Sequence, residues 1–469
     1  MSGCQKKSAN TTTAVIHPRS VKGRFRNMKT MIMVLAYAAF FIFPWIPFAR
    51  NVGPDQAVSF DLVTRKFYIF HVVIHAQDIF WLAALLFLAA VVLFFATALA
   101  GRVFCGYFCF QTLWTDAFRW IEQKIQGDRV ARIRLDRDKW NANKIFRKGS
   151  THALWLLLAF WTGLSFVLYW GYAPELIQRF FTLDLPSAAY ITTFVLMATT
   201  YLAAGIMREN VCMHICPYAR FQSVMIDHNS KIVSYDPKRG EGTAGRALPK
   251  KGLKTQEERS AKGVGDCVDC GFCVQVCPTG IDIRDGLQLQ CIQCGLCIDA
   301  CDNIMDKRGW DRGLVRYASE NELDGKKTKF FTLRTLGYGL ATLGAIGFLL
   351  GSISMKKPIE GTARQIRSPL YIMLSDGQIQ NRYEVKVQNK TQKLAVFDVT
   401  IDGLNNATVD MGQIKNFTLK PDESQKLLIK VLHERLTGEY KDIPFRFVLT
   451  PTKGEVTEPV YLPSQFISP

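Results

Sequence analysis

The chain has 469 residues, 48% of them hydrophobic, with 32 Phe and 9 Trp, which is ample for several domains. Its formal net charge of +18 is not that of a nucleic-acid binder, because the Lys and Arg residues lie beside long apolar runs, the positive-inside signature of a membrane protein. Of 13 cysteines, eight form one cassette, four form two C-x3-C pairs and Cys4 stands alone. None lies beyond Cys301, so the C-terminal region is not stapled by disulfides.

Residues 1–28 are polar and basic (Lys6, Lys7, Arg19, Lys22, Arg24, Arg26) and read as a mobile cytoplasmic tail, with Cys4 an incidental thiol. Residues 28–48 are apolar and long enough to cross a bilayer. They lack a small-residue cleavage site and so read as a signal anchor. A second span covers residues 79–100. One continuous helix from 67 to 100 would overshoot the membrane, so a break, tilt or interfacial segment is expected around Asp78. His71 and His75, four apart, would share a helix face as polar residues of an interfacial helix or as ligands of a metal or haem.

A strongly basic loop, residues 101–150, precedes the third span at 151–170. The fourth span, 188–206, follows a short connection holding Pro174, Glu175, Asp184 and Pro186, so the two should form an antiparallel hairpin. Residues 207–329 are hydrophilic, and the fifth span covers 330–350, with Arg334 snorkelling to the near interface. Positive charge gathers before span one, between two and three, and between four and five, which makes those segments cytoplasmic and leaves the C-terminus outside. From Pro369 onward, short alternating runs punctuated by turn residues predict about seven strands and an immunoglobulin-like sandwich, read as a docking module. Asn389-Lys-Thr matches a glycosylation acceptor and is assigned no role.

The hydrophilic segment carries the most specific motif. Cysteines at 267, 270, 273 and 277, then at 291, 294, 297 and 301, repeat the spacing C-x2-C-x2-C-x3-C. In this bacterial ferredoxin run three thiolates clasp one cubane and the fourth reaches the other. The expected ligand sets are Cys267, Cys270, Cys273 and Cys301 for one [4Fe–4S] cluster, and Cys291, Cys294, Cys297 and Cys277 for the second. Pro278 follows the first run; Asp302 stands where the second proline usually is. Gly271 and Gly295 let the backbone turn tightly. Zinc knuckles use paired C-x2-C units instead, and disulfides need an oxidising compartment that the topology denies this segment. Asp266, Asp269, Asp282, Asp285, Asp299 and Asp302 flank the thiols, as solvated surface or as a docking face for a basic donor.

The expected fold is therefore multidomain: a five-helix transmembrane bundle, an inserted cytoplasmic 2[4Fe–4S] ferredoxin domain and a C-terminal all-β immunoglobulin-like sandwich. The boundaries are 1–28 (tail), 29–206 (spans one to four), 207–329 (cytoplasmic, with the cassette at 263–305), 330–351 (span five) and 352–469 (sandwich).

A repeat accompanies the cassette. Spans one and two end in GRVFCGYFCFQTLWTD, with Cys105 and Cys109; spans three and four end in MRENVCMHICPYARFQS, with Cys212 and Cys216. Each hairpin thus delivers a basic residue, Arg102 or Arg208, and then C-x3-C at the cytoplasmic membrane surface. Packed side by side, the hairpins would bring four thiols together. Residues four apart share a helix face, and thiolates select Cu(I), zinc or iron–sulfur clusters. Met213 and His214 lie inside the second pair and could add a thioether or imidazole; buried structural cysteines are the simpler alternative.

Together these residues resemble the accessory proteins of cbb3-type cytochrome c oxidase, the CcoG/FixG/RdxA family. The resemblance covers nearly the whole chain: five spans, CGYFC followed by QTLWTD, CMHICPYARFQ, VSYDPKRGE, the cassette and the sandwich. It implies a copper reductase of the bacterial inner membrane, with a periplasmic C-terminal domain. Such an enzyme converts Cu(II) to Cu(I) for delivery to the oxidase or its copper chaperones. By position, Cys105, Cys109, Cys212 and Cys216 would bind the copper and carry the reaction. The family pattern is C-x3-C-P at both sites, whereas here Phe110 follows Cys109, which leaves the backbone there open to a difference. Relatives in nitrate and nitrous-oxide reduction share the theme as quinol-linked carriers, so a membrane electron conduit is the alternative. A non-enzymatic assembly scaffold is the third reading. No electron donor is identified by the sequence.

Overall fold

The computed structural model describes residues 16–50, 53–75, 78–355, 357–375, 377–391, 393–412, 416–435, 441–453 and 458–468. The chain divides into two compact units, one comprising residues 1–48 and 56–349 and the other residues 49–55 and 350–469.

The first unit holds the apolar helices, the last of which runs across the boundary. Among the described residues, five are long and apolar enough to cross a membrane: Arg24–Trp45, Ile79–Ala100, Ala142–Trp170, Ser187–Met207 and Leu333–Ser354, with hydropathies of 1.5 to 2.8. Their outer faces display large apolar side chains such as Leu86, 63% exposed, and Leu343, 66% exposed. Such surfaces are tolerated only in lipid, and this is a membrane protein. Four lie within four residues of an expected span at either end, whereas Ala142–Trp170 begins nine residues before the expected 151, inside the basic loop. Ile79–Ala100 has no charged residue and stops at Gly101, whose φ of 60° suits glycine. Ala142–Val167 begins at Asn141, whose side chain accepts from the Lys144 N–H. This helix and Ser187–Thr200 form the expected hairpin, so closely that a Cβ on Gly163 would stand 2.4 Å from the Thr193 carbonyl oxygen.

Two expectations are corrected. Residues 66–75 are not helical: Val58–Asp61, Lys66–Ile69 and Val72–Ile74 form a three-stranded antiparallel sheet. The aromatic and β-branched run Phe67, Tyr68, Ile69, Val72, Val73, Ile74 favours a pleated surface over a helix. His71 therefore sits at the turn after Phe70 (φ 49°), and no helix face joins it to His75. His75 is buried, with Nδ1 3.5 Å from the Asp78 carboxylate.

Residues 16–28 are likewise not a mobile tail. The first helix starts at Arg24, and the Asp299 carboxylate accepts from the N–H groups of Phe25 (3.1 Å) and Arg26 (2.8 Å), capping it from the cassette. The Arg19 N–H donates to the Gln275 carbonyl at 2.7 Å, and Val21 is buried beside Leu296 and Ala300. Cys4 lies outside the described residues.

The hydrophilic region inserts between the fourth and fifth spans. Its strands Ile232–Tyr235 and Val315–Ala318 pair antiparallel and bracket the cassette in sequence.

The second unit is a sandwich. One sheet runs in the order Thr408–Asp410, Ser424–Glu434, Gln378–Asn389, Ile359–Gln365, with Ile372–Met373 also paired to Gln378–Asn389. The other runs Phe417–Leu419, Ala395–Asp402, Lys441–Lys453, Val460–Ser468. Gln378–Asn389 buries every second residue over most of its length, the period of a half-buried strand. Tyr383, Phe397, Phe447 and Phe466 fill the core, and the Tyr383 hydroxyl donates to the Gln465 carbonyl at 2.7 Å. Asn389 is fully buried, its amide donating to the Lys393 carbonyl at 2.7 Å, so its acceptor motif presents no side chain to a sugar.

Candidate redox site

The cassette repeats its backbone as well as its cysteines. Asp269 and Gly271 in the first loop, and Gln293 and Gly295 in the second, have φ between 48° and 72°. These left-handed residues curl each loop back before a helix, Phe272–Gln275 or Leu296–Arg308. One cavity is walled by Cys267, Cys270, Cys273 and Cys301, and a second by Cys277, Cys291, Cys294 and Cys297, with Cys273 reaching both. These are the two expected ligand sets. The donors fit a cubane: four soft thiols around one void, none engaged in a disulfide among the described residues, with Val268, Val276, Ile292 and Leu296 keeping water out. Among the described residues, no three His, Cys, Asp or Glu side chains converge as a mononuclear metal site would require. A cubane asks less convergence, because each sulfur binds a different iron.

The flanking acids are not a free acidic face. Asp266 pairs with Arg239 at 2.8 Å, Asp269 and Asp282 with Arg284 at 2.5 Å each, Asp299 caps the first helix, and Asp302 accepts from the Gly313 N–H at 3.1 Å. Only Asp285 of the six is exposed without such a partner among the described residues.

The C-x3-C pairs do not lie on continuous helices. Cys105 belongs to the short helix Val103–Tyr107, whereas Cys109 is extended (φ −66°, ψ 127°) and N-caps Phe110–Gln126. Cys212 lies in the π-helical turn Val211–Ile215, and Cys216 (φ −73°, ψ 109°) N-caps Pro217–Met225. In both pairs the second cysteine's N–H reaches back five residues, Cys109 to the Phe104 carbonyl (3.0 Å) and Cys216 to the Val211 carbonyl (2.8 Å). The repeat is thus structural. Phe110 and Pro217 occupy the same place, the first helical residue, where no intrahelical N–H bond is needed and proline is optional. The backbone after Cys109 does not differ on that account.

The two pairs meet through Gln222, fully buried on the helix after Cys216. Its Oε1 accepts from the Cys105 thiol at 3.0 Å, while its amide donates to Thr97 and Tyr218 at 3.1 Å each. Cys212 lies within electrostatic reach of Cys109, Cys105 and Cys216. Burial pushes the Cys105 thiol up to about 11, opposed by Arg102, and the Cys212 thiol up to about 12. A soft ion binding there would have to displace the thiol proton. His214 is exposed, and none of the described contacts ties it to the thiols.

The first pair also rests on the cassette. Cys105 shares an apolar cluster with Val276, Ile292, Cys294 and Cys297. The Tyr107 hydroxyl donates to the Cys294 carbonyl at 2.9 Å, and the Tyr317 hydroxyl to the Gln293 carbonyl at 2.5 Å. Cys212 lines a separate buried polar chamber with Lys29, Asp116, Arg119, Glu209 and Thr279. There Arg119 donates to Glu209 (2.8 Å) and to the Pro278 carbonyl (2.9 Å). Burial opposes ionisation of Asp116, but Lys29 and Arg26 hold its carboxyl below the ordinary value. No local pattern marks Gln222, Asp299 or Gln293 for these roles; only the pairing of distant segments does.

Residues 207–320 match a family described as a 4Fe-4S dicluster domain, residues 80–127 one described as a 4Fe-4S binding domain, and residues 349–469 one described as the IG-like fold at the C-terminal of FixG. The chain is 36% identical over 478 residues to the nitrogen fixation protein FixG of Rhizobium meliloti (strain 1021), covering 94% of this chain and 87% of that protein. To protein RdxB of Cereibacter sphaeroides it is 40% identical over 396 residues, covering 82% of this chain and 81% of that one. To protein RdxA of the same organism it is 38% identical over 398 residues, covering 83% and 82%. Spans, cassette and sandwich occur in one chain, and the relatives match along most of it: this is a membrane iron–sulfur oxidoreductase that belongs to the FixG/RdxA family.

Proposed function

We propose that the protein reduces Cu(II) to Cu(I) at the thiols of Cys105, Cys109, Cys212 and Cys216, supporting copper delivery to a cbb3-type cytochrome c oxidase or its copper chaperones. The observation that carries this reading is a soft thiol held against the cassette, Cys105 packed in one apolar cluster with Cys294 and Cys297. Thiolates favour Cu(I) over Cu(II), so binding there raises the ion's reduction potential. His214, exposed beside the second pair, is an additional candidate donor.

Cys267, Cys270, Cys273 and Cys301 would hold one [4Fe–4S] cluster, and Cys291, Cys294, Cys297 and Cys277 the other. When bound, these clusters supply single electrons, and the balance is Cu(II) + e− → Cu(I), with no bond broken and no proton relay required. The chain's part is to bind the ion, dehydrate it among Phe104, Tyr218 and Gln222, and keep it beside the second cassette loop. In this reading the protein lies in the bacterial inner membrane, with the N-terminus and cassette cytoplasmic and the sandwich periplasmic as a docking module. The distribution of Lys and Arg supports that orientation.

A second reading has its own support. Residues 80–127, whose cysteines are Cys105 and Cys109, match a 4Fe-4S binding domain, so the four thiols could hold a further cluster in an electron conduit to a redox partner. One experiment separates the two. The reduced protein is given stoichiometric Cu(II) anaerobically, and cluster oxidation and chelator-captured Cu(I) are followed, beside a variant with all four thiols changed to serine. Loss of Cu(I) formation with iron content unchanged supports copper reduction at these thiols. Loss of iron in the variant supports the conduit. Equal rates and equal iron remove the thiols from the mechanism.

A further inference from the structure

Arg102 and Arg208 stand at equivalent places before the two C-x3-C pairs, yet they meet different surroundings. Arg208 is conventionally neutralised: its Nη2 lies 3.0 Å from the Glu122 carboxylate, its Nε donates to the Gly205 carbonyl at 2.7 Å, and its guanidinium lies over Trp155. Arg102 is 2% exposed, and among the described residues no carboxylate lies within ion-pair distance of it. Its Nη1 donates to the Leu289 carbonyl, its backbone N–H donates to the Gln293 side chain at 3.0 Å, and its Nη2 lies 4.0 Å from the Cys105 sulfur. Its Nε has no hydrogen-bond partner. A guanidinium buried in this way is costly unless negative charge is brought to it.

The negative charge that a bound cluster or ion would bring is that of its thiolates. Arg102 reaches the Cys105 sulfur on one side and Leu289 and Gln293, which flank Cys291, on the other, so it stands between the membrane-edge pair and the second cassette loop. The loop is held there from several directions. Gln293, 1% exposed, fills the space that a side chain at Gly101 would need, and Gly106 and Tyr107 touch the backbone at Ile292 and Cys294. The first ligand set has the opposite outlook, with Cys270 exposed to solvent.

We propose that Arg102 is the positioning residue that joins the membrane-edge thiols to the loop carrying Cys291 and Cys294, and that its charge acts on the cluster held by Cys277, Cys291, Cys294 and Cys297 alone. That cluster is then the inner one, next to the thiols, and the set with Cys270 is the outer one that receives electrons from solution. The inference rests on the reading of the cassette as two cluster sites, and not on copper being the acceptor. A positive charge beside a cluster stabilises its more negative, reduced form, so removing the charge makes that cluster harder to reduce.

The test is a potentiometric titration of the full chain in detergent, without copper, followed by electron paramagnetic resonance. Cys270→Ser and Cys291→Ser, each altering one signal, assign the two clusters. In Arg102→Met the signal assigned through Cys291 should move to more negative potential while the other stays in place, and Arg102→Lys should restore most of the shift. Iron content guards against partial assembly. If the methionine variant loses iron, Arg102→Gln, which keeps a donor for the Leu289 carbonyl, takes its place. Equal shifts of both clusters, a shift confined to the Cys270 cluster, or no shift in an iron-replete variant would overturn the proposal. A wild-type protein lacking two clusters would instead overturn the cassette reading.

Discussion

A Cβ on Gly106 would stand 2.8 Å from the Ile292 carbonyl oxygen and 3.1 Å from the Cys294 Cα. The obstacles are backbone, so no rotamer change can relieve them. The turn between Cys105 and Cys109 therefore lies directly on the second cassette loop. Gly106→Val must push the two apart, and electron transfer slows as the separation of donor and acceptor grows. If the protein reduces copper as proposed, the expected outcome is Cu(II) reduction slower by several-fold with iron content unchanged, and a smaller loss in Gly106→Ala. Stopped-flow measurement at fixed copper decides it; a valine variant at the native rate would detach this contact from catalysis.

Phe110→Pro should be nearly silent. Phe110 is the first residue of its helix and Cys109 before it is extended, the conformation that a following proline requires. The loss is the Phe110 ring, stacked on Trp114 with centroids 3.9 Å apart, worth about 0.5–1.5 kcal/mol. Thermal stability in detergent should fall by no more than that, and the proposed copper reduction should be as fast as in the parent protein. A collapse of either would mean that the two C-x3-C turns are not equivalent.

Asp116→Asn should be far from silent. Lys29, 1% exposed, has its ammonium 3.6 Å from Asp116, and Arg26 binds the same carboxylate at 2.9 Å. Removing one partner of a buried pair costs about 3–5 kcal/mol. The pH dependence has a definite sign. Burial opposes ionisation of Asp116, but Lys29 and Arg26 hold its folded value low. Its contribution is therefore present above the unfolded carboxylate value, about pH 4, and is lost as the pH falls through the folded one. Denaturation of both proteins across pH should show a gap that is constant near neutrality and narrows only in acid. A gap below about 1 kcal/mol at pH 7 would place the pair with ordinary surface bridges.

What was legible in the sequence is what short-range chemistry dictates. The cassette is legible because its spacing makes each loop curl around a void lined by its cysteines, and Gly271 and Gly295 mark where. The spans are legible because a bilayer needs about 20 apolar residues. The sandwich declared itself by alternation, as in Gln378–Asn389. The site's assembly was not legible, because it depends on partners far apart in sequence. Gln222 meets Cys105 across 117 residues and Arg102 meets Gln293 across 191. The i,i+4 reading of each C-x3-C pair failed for a local reason: the chain leaves its helix at the second cysteine. The same reading of His71 and His75 failed because β-branched neighbours took the segment into a sheet.

The segment before the first helix offers the last test. Asp299 sits in the first turn of Leu296–Arg308, between Cys297 and Cys301, and accepts from the Phe25 and Arg26 N–H groups. A Cβ on Gly23 would strike its carboxylate and one on Gly295 would strike the Phe25 ring, so the helix start and the cassette are fitted together. Removing a capping side chain costs about 0.5–2 kcal/mol. In Asp299→Ala that loss should be local: residues 16–28 should gain hydrogen exchange and protease sensitivity, while the two strands bracketing the cassette keep native protection. If those residues were a tail, the wild type would already exchange freely there and the substitution would change nothing. If protection is lost across the whole cassette, Asp299 supports the Cys297–Cys301 turn itself more than it supports the docked segment.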